Sequence, residues 1–357
     1  MIECIFTLDY EIYGNGRGAL RDLILDPANR LMDLFEQAHA SFVAFVEVAE
    51  LQKIEACQTD AAIKNVNAQI QELQQRDCEI ALHLHPQWCN AEFRNGAWEL
   101  DYREYNLCPL GRGRINEIVS SALDYLRRTL ADPEFTPLSF RAGNWLFQPT
   151  ATAAHVLLEH GIRLDSSVFK GGRQHWHHLD YRRATRNGYF WAFENDVNVP
   201  DPAGALLEIP IYTRMVPFWK MFTTKRVGLQ NKGSSGGGRV AKQRLFRVLD
   251  LLRFRHPLKL DFCRMTLDEL VATMEIVIRN DKSSPTSFKP VVAIGHTKDL
   301  VDYETIRLFL QYLESQSIRV STFREVYDRC LKQTACSAHV CSAANGAPAS
   351  QPGIARV

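Results

Sequence analysis

Two histidines two residues apart, His83 and His85 in the stretch Glu79-Ile80-Ala81-Leu82-His83-Leu84-His85-Pro86-Gln87-Trp88, have the spacing that most directly suggests chemistry. The stretch reads as a short β-strand stopped by Pro86. Strand side chains alternate, so both imidazoles leave on one face while Leu82 and Leu84 leave on the other. Neutral imidazole is a common ligand for zinc and related ions, and a converging pair at a strand end suits a metal site. The same pattern also arises from two half-buried polar histidines. Other chemistry-bearing residues stand in like positions: Asp9 and Glu11 close the β-rich run from Cys4, Arg141 follows Leu138, Asp165 follows Ile162, and His296 ends Val291-Val292-Ala293-Ile294-Gly295.

The elements that must position these residues alternate. Strands are expected at Cys4–Asp9, Ser41–Val48, the histidine stretch, Leu138–Arg141, Ile162–Asp165, Leu206–Tyr212, Val291–His296 and Ile318–Thr322. Between them, apolar spacing and cap signals place helices at Asp26–Ala40, Asp60–Arg76, Ile115–Leu130, Pro149–His160, Ala241–Phe254, Thr266–Asn280 and Tyr303–Ser315, with a last one at Phe323–Lys332. A short hairpin is expected within residues 170–204. This order predicts an α/β fold, an irregular parallel (β/α)7–8 barrel of the TIM-barrel kind, with its chemistry at the C-terminal ends of the strands. One domain is expected over residues 1–333, interrupted by a flexible Gly/Ser-rich loop at about 225–242 and followed by a disordered tail, 334–357. The Gly/Ser loop lacks the Lys-Ser or Lys-Thr that a phosphate-binding loop needs after its last glycine.

Composition narrows the function. The 357 residues are 46% hydrophobic with a net charge of +1, enough for a large core, and show no basic stripe for nucleic acid. Nine cysteines without a CxxC pair are neither a disulfide framework nor a zinc knuckle, and they suit a reducing cytoplasm. The first residues carry acids where a signal peptide needs an apolar run, and no stretch is long and apolar enough to span a membrane, so a cytoplasmic protein is expected.

Five short motifs in order, Thr7-Leu8-Asp9-Tyr10-Glu11, His83-Leu84-His85-Pro86-Gln87-Trp88, Ser139-Phe140-Arg141-Ala142-Gly143-Asn144-Trp145, Leu164-Asp165-Ser166-Ser167-Val168 and Ile294-Gly295-His296-Thr297-Lys298-Asp299-Leu300, resemble those of the polysaccharide deacetylase superfamily, also called carbohydrate esterase family 4 or the NodB-homology family. The chain is similar to the subset whose first motif is Asp-x-Glu. The second motif departs from the usual His-x-x-x-His, since Gln87 stands where the second histidine is expected.

The resemblance implies catalytic roles for Asp9 as base, His296 as general acid, Arg141 as partner of the base and Asp165 as the group that orients His296. It implies a divalent metal, with zinc the first choice, held by Glu11, His83 and His85, with Gln87 as the alternative third ligand and Asp9 and Glu11 able to exchange roles. Trp88, Trp145, Trp176 and Leu300 are the candidates for contact with an N-acetylated carbohydrate, although each aromatic suits a loop anchor equally. The implied activity is hydrolysis of an N-acetyl group on an amino sugar or oligosaccharide, such as an intracellular precursor of a surface polysaccharide. Hydrolysis of another C–N bond on the same fold, or sugar binding without catalysis, are the competing expectations. The run His175-Trp176-His177-His178 reads as a substrate-facing or solvated cluster.

Overall fold

The computed structural model describes residues 1–185, 188–221, 223, 225, 226, 228, 229 and 254–345. Along the chain run β1 (Ile2–Tyr10), β2 (Val43–Glu47), β3 (Glu79–Leu84), the hairpin β4 (Glu92–Arg94) and β5 (Ala97–Glu99), β6 (Ser139–Ala142) and β7 (Leu164–Asp165). Then follow the hairpin β8 (Arg173–Gln174) and β9 (Leu179–Asp180), β10 (Trp191–Phe193), β11 (Leu206–Glu208), the hairpin β12 (Thr213–Pro217) and β13 (Arg255–Lys259), β14 (Lys289–His296) and β15 (Arg319–Val320).

A nine-stranded sheet in the order β10-β11-β7-β6-β3-β2-β1-β14, with β15 also on β1, forms the centre. Every pairing in it is parallel except β10 on β11. Strands covered on both faces are apolar along most of their length, and β3 and β14 are buried at every residue, with polar side chains only toward their ends. Beyond β14, parallel bridges join Ile211 to Val292 and Asp261 to Ile294. The N–H groups of Tyr212 and Phe262 donate to the carbonyls of Val292 and Ile294, both at 3.0 Å. Ile211 follows β11, so these bonds curl the sheet back on itself into a partial barrel.

Helices Asp26–Gln37, Ile63–Gln75, Arg112–Leu130, Ala151–Glu159, Leu267–Ser283 and Tyr303–Ser315 lie where the apolar spacing puts them. The hairpin expected in the 170–204 stretch is β8–β9.

Two elements differ from expectation. The helix Val48–Cys57 was not foreseen, because β2 runs into it without a break in hydrophobicity; only the Glu47 carboxylate, accepting from the Glu50 N–H, marks the turn. The last helix extends over Phe323–Asn345, well past Thr334, so residues 334–345 correct the expectation of a disordered tail. That stretch is rich in alanine, a strong helix former. Residues 346–357, most of the 225–242 loop and nearly all of the helix expected at 241–254 lie outside the described residues.

Candidate active site

Register brings the chemistry together. Asp9 pairs with His296 across β1 and β14, Glu47 with His83 across β2 and β3, and His83 with Arg141 across β3 and β6. The strands are parallel, so these residues share one end of the sheet, and Glu11 and His85 follow immediately beyond β1 and β3.

The two acids of the first motif have separate partners. The Arg141 guanidinium donates to Asp9 Oδ1 at 2.5 Å and to Thr7 Oγ1 at 3.0 Å, and its Nε donates to the Ser166 carbonyl at 2.9 Å. Burial pushes the Asp9 carboxyl upward, but the always-charged Arg141 guanidinium outweighs it and holds the acid below its ordinary value. Glu11 is also pushed up by burial and is held well below the carboxylate range, first of all by Lys298. Its oxygens divide the work: Lys298 Nζ donates to Oε1 at 2.6 Å, whereas Oε2 faces His85 Nε2 at 3.0 Å and His83 Nε2 at 3.7 Å.

These donors fit a divalent metal. His83 Nδ1 lies 2.8 Å from the Arg141 carbonyl, so it carries the proton and leaves Nε2 a bare lone pair. That buried Nε2 has no hydrogen-bond partner. Glu11, His83 and His85 each offer a ligand atom, all within 4.8 Å of one another. Two imidazoles and a carboxylate form an established zinc set, and ligand bonds of about 2.0–2.1 Å put neighbouring donors roughly 3.3 Å apart, close to the spacing here. Asp9, Glu11 and His296 form a second such group, sharing Glu11.

Gln87 stands behind His85. Its Nε2 lies 3.1 Å from His85 Nδ1, and Asn144 Nδ2 lies 3.2 Å from the same atom. The Gln87 Oε1 is buried without a partner. With the amide turned over, that oxygen accepts from Nδ1–H and leaves His85 Nε2 bare toward Glu11, which suits Gln87 to positioning His85. The backbone beside them is equally constrained. A Cβ on Gly143 would stand 2.5 Å from the Leu84 carbonyl and 2.9 Å from the His85 ring, and Asn144 and Trp145 that follow have φ of 54° and 60°.

His296 Nε2 lies 3.4 Å from Asp9 Oδ2 and 3.9 Å from Glu11 Oε1. Burial, against the pull of Asp9, pushes its pKa down to about 4. The carboxylate facing its other nitrogen is Asp299, at 3.8 Å from Nδ1, and Asp299 is held by Arg264 at 2.6 Å. This corrects the expectation for Asp165. Its carboxylate instead accepts from the Ser167 hydroxyl at 2.6 Å and shares a hydrogen bond with Glu208 of β11.

The carbohydrate candidates separate. Trp145 meets the His296 ring edge-on, with centroids 6.1 Å apart, and is only partly buried. Trp88 is a correction: at 1% exposure it packs against Trp98 and anchors the loop after β3. Leu300 is buried in the core. Trp176 is 40% exposed on the β8–β9 hairpin. Around it, His177 stacks on Tyr105 and His175 faces Arg173, and among the described residues the 175–178 run forms no metal cluster.

Sequence reasoning missed Lys259, Asp261, Arg264, Lys298 and Asp299 as functional candidates. Lys298 and Asp299 sit inside the fifth motif, where their proximity to His296 was a usable signal. Lys259, Asp261 and Arg264 reach the site from a segment that carries no motif.

No protein-family model matches the sequence, and no curated protein matches it significantly. Solved structures do match. One, assigned as a polysaccharide deacetylase from Mycobacterium smegmatis, aligns over 93% of this chain and 91% of its own with a TM-score of 0.50 and 13% identity. The chain has the polysaccharide deacetylase fold. A family 4 carbohydrate esterase from Streptomyces lividans in complex with acetate aligns over 90% of this chain and 92% of its own with a TM-score of 0.39 and 9% identity. The Puue allantoinase aligns over 91% and 88% with a TM-score of 0.46 and 13% identity. Among the described residues, no helix is long and apolar enough to cross a membrane.

Proposed function

We propose that this chain is a metal-dependent hydrolase that removes an N-acetyl group from an amino sugar. One observation carries the reading. The orphaned Nε2 of His83 and the Nε2 of His85 converge on one oxygen of Glu11, while a second carboxylate, Asp9, stands beside them held by Arg141. A divalent metal on Glu11, His83 and His85, zinc by its donor set, would supply the Lewis acid that polarises the acetamide carbonyl and acidifies water.

The chain's own groups handle the protons. Asp9, ionised beside Arg141, takes the proton from the attacking water. His296 is neutral at rest, so the proton it passes to the leaving nitrogen is one it must first collect, and Asp9 Oδ2 is 3.4 Å from its Nε2. Asp299, fixed by Arg264, faces the opposite ring nitrogen and stabilises the charged imidazole while it carries that proton. Trp145 forms the wall beside His296. Cys4, Cys57, Cys78, Cys89, Cys108, Cys263 and Cys330 are free thiols, and an intracellular precursor of a surface polysaccharide is the substrate to test first.

The test combines metal analysis with acetate release from a panel of N-acetylated sugars. The parent should carry a stoichiometric divalent metal, and His83→Ala should lose it while remaining folded. A parent that binds no metal, or a His83→Ala variant with full occupancy, overturns the site. Metal with no acetate from any sugar moves the reading to another amide bond.

A further inference from the structure

Three cations of this site each have a carboxylate of their own. Arg141 holds Asp9 at 2.5 Å, Lys298 holds Glu11 at 2.6 Å and Arg264 holds Asp299 at 2.6 Å. A fourth, Lys259, has none. Among the described residues its Nζ makes no hydrogen bond and has no carboxylate oxygen within 4.0 Å; it lies over the face of Trp145, 2.9 Å from the ring centroid, with Phe169 at 4.9 Å. Nearby Asp261 is turned away from it, accepting the backbone N–H groups of Cys263 and Arg264 at 3.1 and 3.0 Å.

Lys259 is also fixed in place. It ends β13, pairs with Thr213 of β12, and is followed by Leu260, whose N–H donates to the Tyr212 carbonyl at 2.7 Å; Asp261 then bridges to Ile294, two residues before His296. The amine is thus tied through backbone to the strand that carries His296, and through its ring contact to Trp145, which meets His296 edge-on. Another buried amine of this region, Lys170, behaves as a structural lysine should and donates to the Gly188 carbonyl at 2.7 Å.

An aliphatic side chain of similar length would cover Trp145 as well without the cost of desolvating an ammonium that has no anion. Burial first, with Arg264 and Arg141 adding to it, draws the Lys259 amine well below its ordinary range, and Asp261 and Asp9 only partly oppose it. An arriving oxyanion would restore the charge and complete the pairing that its three neighbours already have.

We infer that Lys259 recognises the substrate, and that the N-acetylated sugar carries an anionic group, a carboxylate or a phosphate, that docks on Lys259 beside Trp145. This rests on the deacetylase reading for the identity of the sugar, and on the geometry alone for the anion. Lys259 takes no part in the proton transfers; it fixes which sugars present their amide to Asp9 and His296.

The experiment uses the metal-loaded protein and the variants Lys259→Met, Lys259→Gln and Lys259→Arg. The substrates are methyl N-acetylglucosaminide, N-acetylglucosamine 1-phosphate and an N-acetylated hexosaminuronic acid. Losing a charge-assisted contact should raise KM for the preferred anionic sugar by about 10- to 100-fold in the Met and Gln variants, leave kcat near the parent value and leave the neutral glycoside unchanged. Arg should retain most of the preference. Which of the two anionic sugars loses more identifies phosphate or carboxylate as the group recognised.

An unchanged anionic-to-neutral ratio overturns the inference, as does an equal fall in kcat on all three sugars, which would place Lys259 in the chemistry. If no sugar releases acetate, the deacetylase reading fails. Calorimetric binding of the sugar phosphate and the uronic acid then decides Lys259 separately, with at least a tenfold weaker affinity for one of them in Lys259→Met expected and equal affinities for both overturning it.

Discussion

Asp9 and Glu11 are as deeply buried as Glu47, Glu50 and Glu208, yet the two groups of acids have opposite fates. Burial raises the pKa of all five. Asp9 and Glu11 face Arg141 and Lys298 and are brought back below the ordinary carboxylate range. Glu47 has Glu50 and Glu11 as its charged neighbours and is pushed well up; Glu50 is raised to about 8; Glu208 is driven up by burial and by Asp165. A buried acid of these five is therefore held ionised only where a cation touches it, and is otherwise a neutral hydrogen-bonding group.

The sharpest way to break that contrast is to remove the cation. Arg141→Met should move Asp9 toward the second group, costing about 3–5 kcal/mol in urea unfolding and nearly all acetate release. Retention of parent activity would show that Asp9 does not depend on the guanidinium.

Next come the acids of the first group themselves. Asp9→Asn should keep the metal and lose about 10²–10⁴ of the rate, because an amide cannot take the proton of water at neutral pH, whereas Glu11→Gln should lose the metal. Metal analysis beside a rate assay checks both, and the reverse outcome would exchange the two roles.

The second group should respond to pH and little to substitution. Glu50 is ordinarily a 4.5 acid raised to about 8 in the folded chain. Below 4.5 both folded and unfolded chains hold its proton; between 4.5 and 8 only the folded chain does, so its contribution is lost as pH rises through that window. Glu50→Gln keeps an oxygen for the Ile12 N–H, which Glu50 now accepts at 2.9 Å. The variant should match the parent near pH 4.5, flatten the stability profile above it and melt a few degrees higher at pH 9. A profile as steep as the parent's would remove Glu50 from the neutral group. Smallest of all, Glu208→Gln copies a protonated acid and should change stability by less than about 1 kcal/mol at pH 7, read from the urea midpoint.

The first group was legible in the sequence because it follows a simple rule: polar residues at the C-terminal ends of parallel strands meet. Asp9, Glu11, His83, His85, Arg141 and His296 all obey it. Asp165 obeys it too and still faces elsewhere, because its strand lies against β11 and Glu208 takes its carboxylate; strand ends alone do not reveal the neighbour. Lys259 and Arg264 were invisible because the β13 segment reaches the site from outside the main sheet. Trp88 and Trp145 look alike in sequence, and only packing shows that one is an anchor and the other a wall. The helix at Val48 was hidden by continuous hydrophobicity.

The pairing of β1 with β14 has a consequence for how the protein comes into being. The second residue of the chain already pairs with Lys289, and the ladder continues to Asp9 and His296. Contacts this distant in sequence are slow to form because the intervening loop must first close. Until β14 has been synthesised and docked, one edge of β1 stays open as an apolar template for other chains, a hazard that fully assembled sheets avoid. Chains that end before residue 289 should therefore aggregate during expression, and acetate release should appear only in chains that extend past His296, because Asp9 and His296 meet only when β14 docks on β1.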